Sequence, residues 1–483
     1  MRLRKPSIAS PIALTLVLSA VAIHAPASAQ PSPADTALGP RIEGMLAQAK
    51  LSPQVALSIV DIETGRSLVS LNAQTPLNPA SNLKLVTAAA ALRVLGADFR
   101  MQTGLYGQVR QERTEALCLK GQADPTLTRA NLAEFVLRLR ERGVREIDQL
   151  TVDGSYFDNE ILPPAFEQQP NETAPFRAAV GAVSVNANAY TLRIGPGVSL
   201  GAPARVAVDG AGYFKIENQV TTTNSPTSNV SVDERDLGDS VALTLTGNVP
   251  LTGATLALPR RVASPLYYAG HVFLDALSAA GIHAPSRVLV GNCRADAPLI
   301  ARIESAPLAE LLGKLGKNSD NFVAETLVKI MGAERTRKPG STAAGIIVIQ
   351  DALRQMNLPV ANNLHMINGS GLFQGNLVTT DLFSQLLAAM YRDPAYRPEY
   401  VAQLSVGGAD GTLARRFSHL ARPRVVRAKT GTLNDVIALS GYVLGPTPGR
   451  AYAFSYLANG IKGKQAQARG LIDRIVELLV AAP

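Results

Sequence analysis

The spacing of apolar residues predicts a helix, a hairpin and a second helix in the first hundred residues. Residues 35–49 repeat apolar positions at helical intervals, whereas 55–61 and 67–71 are short β-prone runs separated by a Glu-Thr-Gly-Arg turn. Helix-forming residues then fill 83–95, and Gly96 ends that run. The chain is therefore expected to begin with mixed α and β structure.

The pattern changes between residues 98 and 261. Short β-prone stretches punctuated by Gly, Pro and Asn occur there, at 145–152, 190–194, 218–223 and 241–246. Helical patterns follow at 264–280, 307–316, 320–331, 345–356 and 380–391. Strands are expected at 425–430, 436–445 and 450–457, before a last helix at 470–481.

These patterns favour an α/β (α+β) fold with one interrupted domain. Strands lie near both ends of the chain and helices flank them, which fits a single domain built from residues 34–97 and 262–483. Residues 98–261 are predicted to form an inserted β-rich domain of one or two parts.

The first 29 residues have the pattern of a secretory signal. Three basic residues fall within the first five, no acidic residue precedes Asp35, and an apolar run ends before a small-x-small sequence at 27–29. A membrane anchor is the alternative, but about thirteen apolar residues at roughly 1.5 Å each fall short of a bilayer core near 30 Å. We expect export and cleavage after Ala29.

Composition and charge exclude several classes of function. The 483 residues are 46% apolar and 18% charged, as in an ordinary globular protein, and the net charge of +9 includes no run of five like charges. Nucleic-acid binding is therefore not expected. No Cys/His cluster has metal-ligand spacing, so a structural zinc site is not expected. The apolar side of 470–481 favours packing on a sheet over peripheral contact with a membrane.

The two cysteines, Cys118 and Cys293, would meet an oxidising compartment after export. A disulfide between them would close a separation of 175 residues and could contribute about 4–5 kcal/mol on the loop-entropy model. Two buried free thiols are the alternative, and the sequence leaves both open.

Ser81 and Lys84 form the single S-x-x-K sequence of the chain. They stand where a helix is predicted to begin, and residues i and i+3 share one face of a helix. A neutral lysine can take the proton of a serine if burial or a nearby cation lowers its pKa. Ser81 would then attack and Lys84 would act as its base, whereas an N-cap serine beside a solvated lysine is the structural alternative.

Ser319-Asp320-Asn321 precedes another predicted helix. Ser319 and Asn321 could face one cleft, where the hydroxyl would relay a proton and the amide would bind a substrate amide. Because Ser, Asp and Asn are all preferred at helix N-caps, this motif alone favours a simple cap.

Lys429-Thr430-Gly431-Thr432 contains the single Lys-Thr-Gly of the chain and follows a β-prone run. Gly431 would let a substrate backbone approach a strand edge, and Lys429 with a hydroxyl of Thr430 or Thr432 would bind a carboxylate. A turn is the alternative. Each of these last two tripeptides is expected on the order of 0.1 times in such a chain, so their joint occurrence is roughly a one-in-a-hundred accident.

In this order the three motifs resemble those of penicillin-binding proteins and serine β-lactamases. The long first gap, filled by the β-rich insertion, is similar to that of the class C low-molecular-mass penicillin-binding proteins, the D-alanyl-D-alanine carboxypeptidases and endopeptidases of peptidase family S13. Further stretches resemble the same family, at 79–87, 123–127, 183–188, 319–325 and 369–372.

The resemblance implies a penicillin-binding-protein/serine β-lactamase-like transpeptidase domain interrupted by the insertion. It also implies that Ser81 forms an acyl-enzyme, that Lys84 accepts the proton and that Ser319 assists its transfer. Backbone N–H groups of Ser81 and Thr432 would form the oxyanion hole. The implied substrate-binding residues are Asn321, Lys429, Thr430, Gly431 and Thr432.

The activity implied is that of a periplasmic D-Ala-D-Ala carboxypeptidase, a D,D-endopeptidase or both, acting on peptidoglycan stem peptides and acylated by β-lactams. A periplasmic β-lactamase is the nearer alternative, but its deacylating Glu cannot be placed here. A non-catalytic cell-wall-binding protein is disfavoured by the intact motifs. Glu172 could fill the place of an acidic residue near the substrate side chain, on a loose local match, and residues 369–372 are expected to shape the domain rather than react. The implied mechanism requires no cofactor and no metal. The oligomeric state is left open.

Overall fold

The structure is a computed structural model that describes residues 33–445 and 450–482, so the expected signal segment lies outside the described residues. The helices are α1 Pro33–Ala49, α2 Lys84–Leu95, α3 Arg129–Glu141, α4 Pro265–Ala279, α5 Leu308–Lys317, α6 Asn321–Thr336, α7 Thr342–Gln355, α8 Thr380–Arg392, α9 Arg397–Ala402 and α10 Gln465–Ala481. The strands are β1 Val55–Asp61, β2 Ser67–Leu71, β3 Gln102–Tyr106, β4 Val109–Arg110, β5 Arg113–Thr114, β6 Leu117–Gly121, β7 Glu146–Ile147, β8 Leu150–Asp153, β9 Ala189–Gly195, β10 Arg205–Ala207, β11 Phe214–Thr223, β12 Asn229–Asp236, β13 Val241–Pro250, β14 Leu256–Arg261, β15 Val288–Val290, β16 Leu299–Glu304, β17 Leu364–His365, β18 Leu377–Val378, β19 Ser405–Val406, β20 Val426–Leu433, β21 Val436–Leu444 and β22 Ala451–Ala458.

A six-stranded antiparallel sheet joins the two ends of the chain. Its order is β19-β20-β21-β22-β1-β2, so the first strand of the chain pairs directly with the last. Helices α1 and α10 cover one face, and α2 with α5 to α9 cover the other. Strands β21 and β22 are consequently buried along almost their whole length, as expected for strands covered on both faces.

Helix α10 packs on this sheet. Its apolar side chains, Leu471, Ile472, Ile475, Val476 and Leu479, are buried among residues of β1, β21 and β22, so the prediction that 470–481 packs on a sheet is confirmed. In the two described ranges, no helix is both long and apolar enough to cross a bilayer.

Helix α2 lies in the centre of the opposite layer. Every residue from Lys84 to Leu92 is buried, and four consecutive alanines let the neighbouring helices approach closely because their side chains are small. A helix that is apolar on all sides is buried within its layer. The start of α2, at Lys84, is therefore enclosed in the core.

The inserted region, residues 102–304, has its own sheets and its own core. A five-stranded sheet of order β15-β8-β6-β3-β16 packs with α3 and α4. Three three-stranded sheets accompany it, of order β10-β9-β14, β11-β13-β12 and β4-β5-β7. The predicted α/β fold with a β-rich insertion matches this architecture.

The inserted region extends further along the chain than the limit predicted at residue 261. Helix α4 packs in the inserted core, and β15 and β16 pair with β8 and β3. The packing boundary therefore lies after Glu304. Apolar periodicity identified α4 as a helix, but a periodicity does not specify which core the helix joins.

Cys118 and Cys293 form a disulfide within the inserted region. Cys118 lies on β6, and the backbone N–H of Cys293 donates to a carboxylate oxygen of Asp153, at the end of β8, over 2.9 Å. Of the two alternatives that the sequence left open, the structure has the disulfide.

Candidate active site

Ser81 lies at the junction of the large sheet and the helical layer. It belongs to a 3₁₀ helix, Ala80–Leu83, that runs directly into α2. Ala80 has a φ of +45°, which turns the chain sharply before the serine. Ser81 is half-buried, whereas Lys84 is only 1% exposed. The S-x-x-K pair is thus fixed at the start of a buried helix. This helix belongs to the catalytic region, which we define as the described residues outside 102–304.

The amine of Lys84 contacts three oxygen atoms. Its Nζ lies 2.9 Å from Ser81 Oγ, 2.7 Å from Asn321 Oδ1 and 2.8 Å from the carbonyl oxygen of Ser370. Burial lowers the pKa of Lys84 to about 7, although the negative charges of Glu325 and Asp320 act to raise it. A substantial fraction of this amine is therefore neutral near pH 7 and able to accept a proton.

The Ser319-Asp320-Asn321 motif forms a helix cap and part of the site at once. Asp320 caps α6 by accepting from the N–H of Val323. Ser319 has a φ of +58°, so the chain reverses there and the side chains on either side of the cap reach the site. Asn321 accepts from Lys84, and its Nδ2 donates over 2.9 Å to the carbonyl oxygen of Phe176 in the inserted region.

Lys429 lies on β20 and is also buried. Its Nζ donates to Ser319 Oγ and to the carbonyl oxygen of Thr430, both over 2.8 Å. Burial, with the nearby charge of Lys84, lowers its pKa well below the usual value. Each lysine therefore contacts one side chain of the Ser319-Asp320-Asn321 motif: Lys84 donates to Asn321, and Lys429 donates to Ser319.

Strand β20 offers a partly free edge. Strand β19 pairs only with Arg427 and Ala428, whereas Lys429 to Leu433 pair with β21 alone. The hydroxyl of Thr430 donates to that of Thr412 over 2.8 Å, and Thr432 is exposed. An extended peptide could bind along this edge by adding a strand.

Gly431 has a second use that the sequence did not indicate. A Cβ at this position would lie 2.9 Å from the carbonyl oxygen of Pro79 and 3.0 Å from the Cβ of Ala80. The glycine therefore lets β20 approach the segment that carries Ser81. Asn82 strengthens the same contact: oriented so that its amide nitrogen donates, it bonds to the carbonyl oxygen of Lys429 over 2.8 Å.

The structure thus brings together all eight residues proposed from the sequence, and it adds two that the sequence analysis did not place in the site. Glu325 is buried beneath Lys84, and Ser370 supplies a carbonyl oxygen to it. Both lie in stretches that resemble the S13 family, but residues 369–372 were assigned only to shaping the domain. The sequence does not show that they lie next to Lys84, because their segments are distant from it along the chain and approach it only in the folded protein.

Glu172 belongs to a loop of the inserted region that approaches the site at Phe176. Its carboxylate accepts from the N–H of Ala174 over 2.8 Å. Arg177 organises the loop from within by donating to the carbonyl oxygens of Phe166, Pro170 and Glu172. The loop reaches the site through the Phe176 carbonyl, whereas the Glu172 carboxylate is bound within the loop.

One group of potential metal ligands occurs in the part of the chain that the structure describes. The sulfurs of Cys118 and Cys293 and a carboxylate oxygen of Asp153 lie within 4.8 Å of one another. Because both sulfurs belong to the disulfide, neither offers a thiolate. This group lies in the inserted region, apart from the serine and lysine motifs.

Two solved structures show which known fold this chain adopts. The crystal structure of penicillin binding protein 4 from Haemophilus influenzae matches with a TM-score of 0.75 and 23% identity, over 91% of this chain and 98% of that one. The same protein complexed with a novel β-lactam matches with a TM-score of 0.71 and 23% identity, over the same shares of both chains. The predicted penicillin-binding-protein fold is confirmed.

The chain belongs to the D-Ala-D-Ala carboxypeptidase 3 (S13) family, whose model matches residues 38–481. A D-alanyl-D-alanine carboxypeptidase of Actinomadura sp. (strain R39) is 35% identical over 89% of this chain and 82% of its own length. The D-alanyl-D-alanine carboxypeptidase DacB of Haemophilus influenzae is 24% identical over 83% of this chain and 84% of its own. The family and the serine-peptidase class expected from the sequence are confirmed.

Proposed function

We propose that this protein is a serine D-Ala-D-Ala carboxypeptidase that cleaves peptidoglycan stem peptides through an acyl-enzyme on Ser81. One observation carries the proposal: Ser81 Oγ lies 2.9 Å from the buried amine of Lys84, whose pKa is about 7. A serine beside a base that is partly neutral at physiological pH is an activated nucleophile. Membership of the S13 family supports the choice of substrate.

Acylation begins with transfer of the Ser81 proton to neutral Lys84. The serine oxygen then attacks the carbonyl carbon of the penultimate D-Ala, and the N–H groups of Ser81 and Thr432 stabilise the oxyanion. When the carbon–nitrogen bond breaks, the leaving D-Ala amine takes up a proton from the network of Lys84 and Ser319. Lys429 and the hydroxyls of Thr430 and Thr432 hold the terminal carboxylate.

Deacylation repeats these steps with water. The network removes a proton from water, the hydroxide attacks the ester carbon, and Ser81 recovers its proton as the ester bond breaks. The partly free edge of β20 supports an endopeptidase reaction as well, since a cross-linked peptide differs only in having a larger leaving amine. A β-lactam acylates Ser81 by the same attack on its ring carbonyl.

The same proposal places the mature protein in the periplasm. Its support is the sequence of residues 1–29 and the nature of the substrate, since peptidoglycan lies outside the cytoplasmic membrane. Mass spectrometry of the protein purified from a periplasmic extract would show a mature N-terminus at Gln30, and an N-terminus at Met1 would contradict the export proposal.

The test of the acyl-enzyme is covalent labelling by a fluorescent penicillin. We expect the wild type to be labelled at one serine, and Ser81→Ala to lose the label while remaining folded. Ser70→Ala is the matched control, because this serine is exposed on β2 of the same sheet. Labelling that survives in Ser81→Ala, or its absence from the wild type, would overturn the proposal.

Product analysis separates the peptidase from its alternatives. Release of D-Ala from a muramyl pentapeptide, absent in Ser81→Ala, is the expected result. Fast hydrolysis of penicillin without D-Ala release would indicate a β-lactamase instead. Binding of peptidoglycan without either reaction would indicate a non-catalytic wall-binding protein.

A further inference from the structure

The backbone of Gly369 and Ser370 lies between Glu325 and Lys84. One carboxylate oxygen of Glu325 accepts from the N–H of Gly369 over 2.9 Å, and the other accepts from the N–H of Ser370 over 2.8 Å. The carbonyl oxygen of the same Ser370 accepts from Lys84 Nζ over 2.8 Å. Glu325 is therefore connected to the amine through the backbone of one residue, Ser370.

The three neighbours of the Lys84 amine differ in what they can donate. A neutral amine has two hydrogens and one lone pair. Asn321 Oδ1 and the carbonyl oxygen of Ser370 can only accept, so they take the two hydrogens, whereas the hydroxyl of Ser81 can donate. The lone pair is thus left facing the proton that it must remove, provided that both acceptors stay in place.

We propose that Glu325 is a positioning residue, which holds the Ser370 carbonyl so that the lone pair of Lys84 points at Ser81. This inference rests on the proposed function, because it assigns a role within that reaction. Asn321 and Glu325 lie one turn apart on α6, so one helix sets both acceptors of the amine: Asn321 directly and Ser370 through the Glu325 carboxylate.

Glycines on both sides make such a support necessary. Gly371 has a φ of +75°, and a Cβ there would lie 1.9 Å from the carbonyl oxygen of Ala80. A Cβ on Gly369 would lie 2.4 Å from a methyl carbon of Val328. The close fit of this segment requires glycine, yet a Gly-Ser-Gly sequence has high backbone freedom. The two-pronged carboxylate removes that freedom at Ser370.

The charges around Lys84 give the proposal an electrostatic signature. The groups that face it are Glu325 on α6, Asp320 at the start of α6 and Lys429 on β20. The two carboxylates raise its pKa, against the larger effect of burial. Burial raises the pKa of Glu325 in turn. The side chain of Ser370, the two N–H donors and Lys84 act against this rise by favouring the carboxylate.

The decisive variant is Glu325→Gln, which keeps the size of the side chain but replaces one acceptor by an NH₂ group. We expect the second-order rate constant for penicillin acylation, per labelled site, to fall on the order of 10- to 100-fold, since a misplaced base is a poor one. Lys84 must be neutral to accept a proton, so acylation declines below its pKa. Loss of the negative charge of Glu325 lowers the pKa of Lys84. The acidic limb of the pH–rate profile, where acylation declines, therefore moves to lower pH.

Glu325→Asp separates position from charge. It keeps the charge but is shorter by about 1.5 Å, so it cannot hold both N–H groups. We expect Glu325→Asp to be acylated more slowly, with the acidic limb of its pH–rate profile at the same pH as in the wild type. Glu334→Gln is the matched control, because Glu334 also lies on α6 and accepts from Tyr156 outside the site. It should acylate at the wild-type rate.

The outcomes are distinguishable. Acylation of Glu325→Gln within about twofold of the wild type, or an acidic limb that does not move, overturns the inference and leaves the proposed function intact. If Glu325→Gln yields less labelled protein but reacts at the normal rate per labelled site, the substitution has only reduced the amount of folded protein. This result also overturns the inference. If Glu325→Gln does not fold, Glu325→Asp decides by its rate. A wild type that is not labelled on Ser81 overturns both.

Discussion

The active site and the surface of the inserted region hold their cations in different surroundings. Lys84 and Lys429 are buried without a carboxylate in direct contact, and their partners are hydroxyl, amide and carbonyl oxygens. In the inserted region, cations such as Arg113 and Arg138 pair with acids at the surface. The pKa of each buried lysine falls because burial disfavours the ammonium. Each of these two lysines therefore gives up its proton more readily than an exposed lysine would.

The strands show the same contrast. Strands β21 and β22 are buried along almost their full length, whereas β12 exposes alternate residues. The catalytic region is stabilised by two large apolar cores on either side of its sheet. The inserted region has one core and the disulfide. Chemistry should therefore depend on the first region, and the disulfide should matter chiefly for the stability of the second.

The largest expected effect comes from Lys84→Met. Removal of the base should lower the rate constant for acylation by roughly 10²- to 10⁴-fold. In the wild type that rate should rise with pH through a midpoint near the pKa of about 7, because only neutral Lys84 accepts the Ser81 proton. When acylation rates are measured from pH 5.5 to 9, Lys84→Met should lack this acidic limb, the rise of the rate with pH.

Lys338→Met is the control for that experiment, since Lys338 is an exposed lysine in the loop after α6. It should keep both the rate and the limb. A limb near pH 7 that persists in Lys84→Met would show that another group is the base.

Removal of the disulfide should affect the two regions differently. The double variant Cys118→Ser with Cys293→Ser should lower the free energy of unfolding of the inserted region by about 2–5 kcal/mol. Neither sulfur contacts the active site, so penicillin labelling should stay within about twofold of the wild type. Calorimetry and labelling of the same preparation measure both. Reductant should cause the same loss of unfolding free energy in the wild type and leave the double variant unchanged. A large loss of penicillin labelling would show that the disulfide also supports the active site.

A smaller effect is expected at the boundary between the regions. Lys329 on α6 donates to a carboxylate oxygen of Asp158 over 2.5 Å and to the carbonyl oxygen of Glu160 over 2.8 Å. Lys329→Met removes both of these contacts and should cost about 1–3 kcal/mol of unfolding free energy. A denaturation curve with two separated transitions would show that this contact couples the regions. Arg354→Met, exposed on α7, is the control and should change the stability by less than about 0.5 kcal/mol.

Local patterns predicted the catalytic region well. The runs at 55–61 and 67–71 coincide with β1 and β2, and the predicted helix at 83–95 differs from α2 by one residue. The reason is that these segments are strongly apolar, so their intrinsic preference and their burial agree. The three motifs also lie together in the structure, because each has a defined place at a helix start or on a strand.

The inserted region was predicted less well. Helix α3 was missed inside a segment assigned as β-rich, although Thr128 and Asn131 form a capping box at its start. Its buried residues, Leu132, Phe135, Val136 and Leu139, also follow helical spacing. These signals were present but were outweighed by the surrounding β-prone stretches. The contact of Glu325 with Ser370 is different in kind, since it joins segments 45 residues apart and depends on tertiary packing.

The pairing of β1 with β22 has a consequence for how the chain folds. Asn78, three residues before the nucleophile, bonds to Asn459, 381 residues later, so the serine cannot be held in its final setting until the last strand arrives. At roughly 5–20 residues per second, synthesis of that interval takes about 20–80 s. The inserted region closes its own sheets much earlier. The molecule is therefore built from the middle outwards, and its reactive centre is completed last.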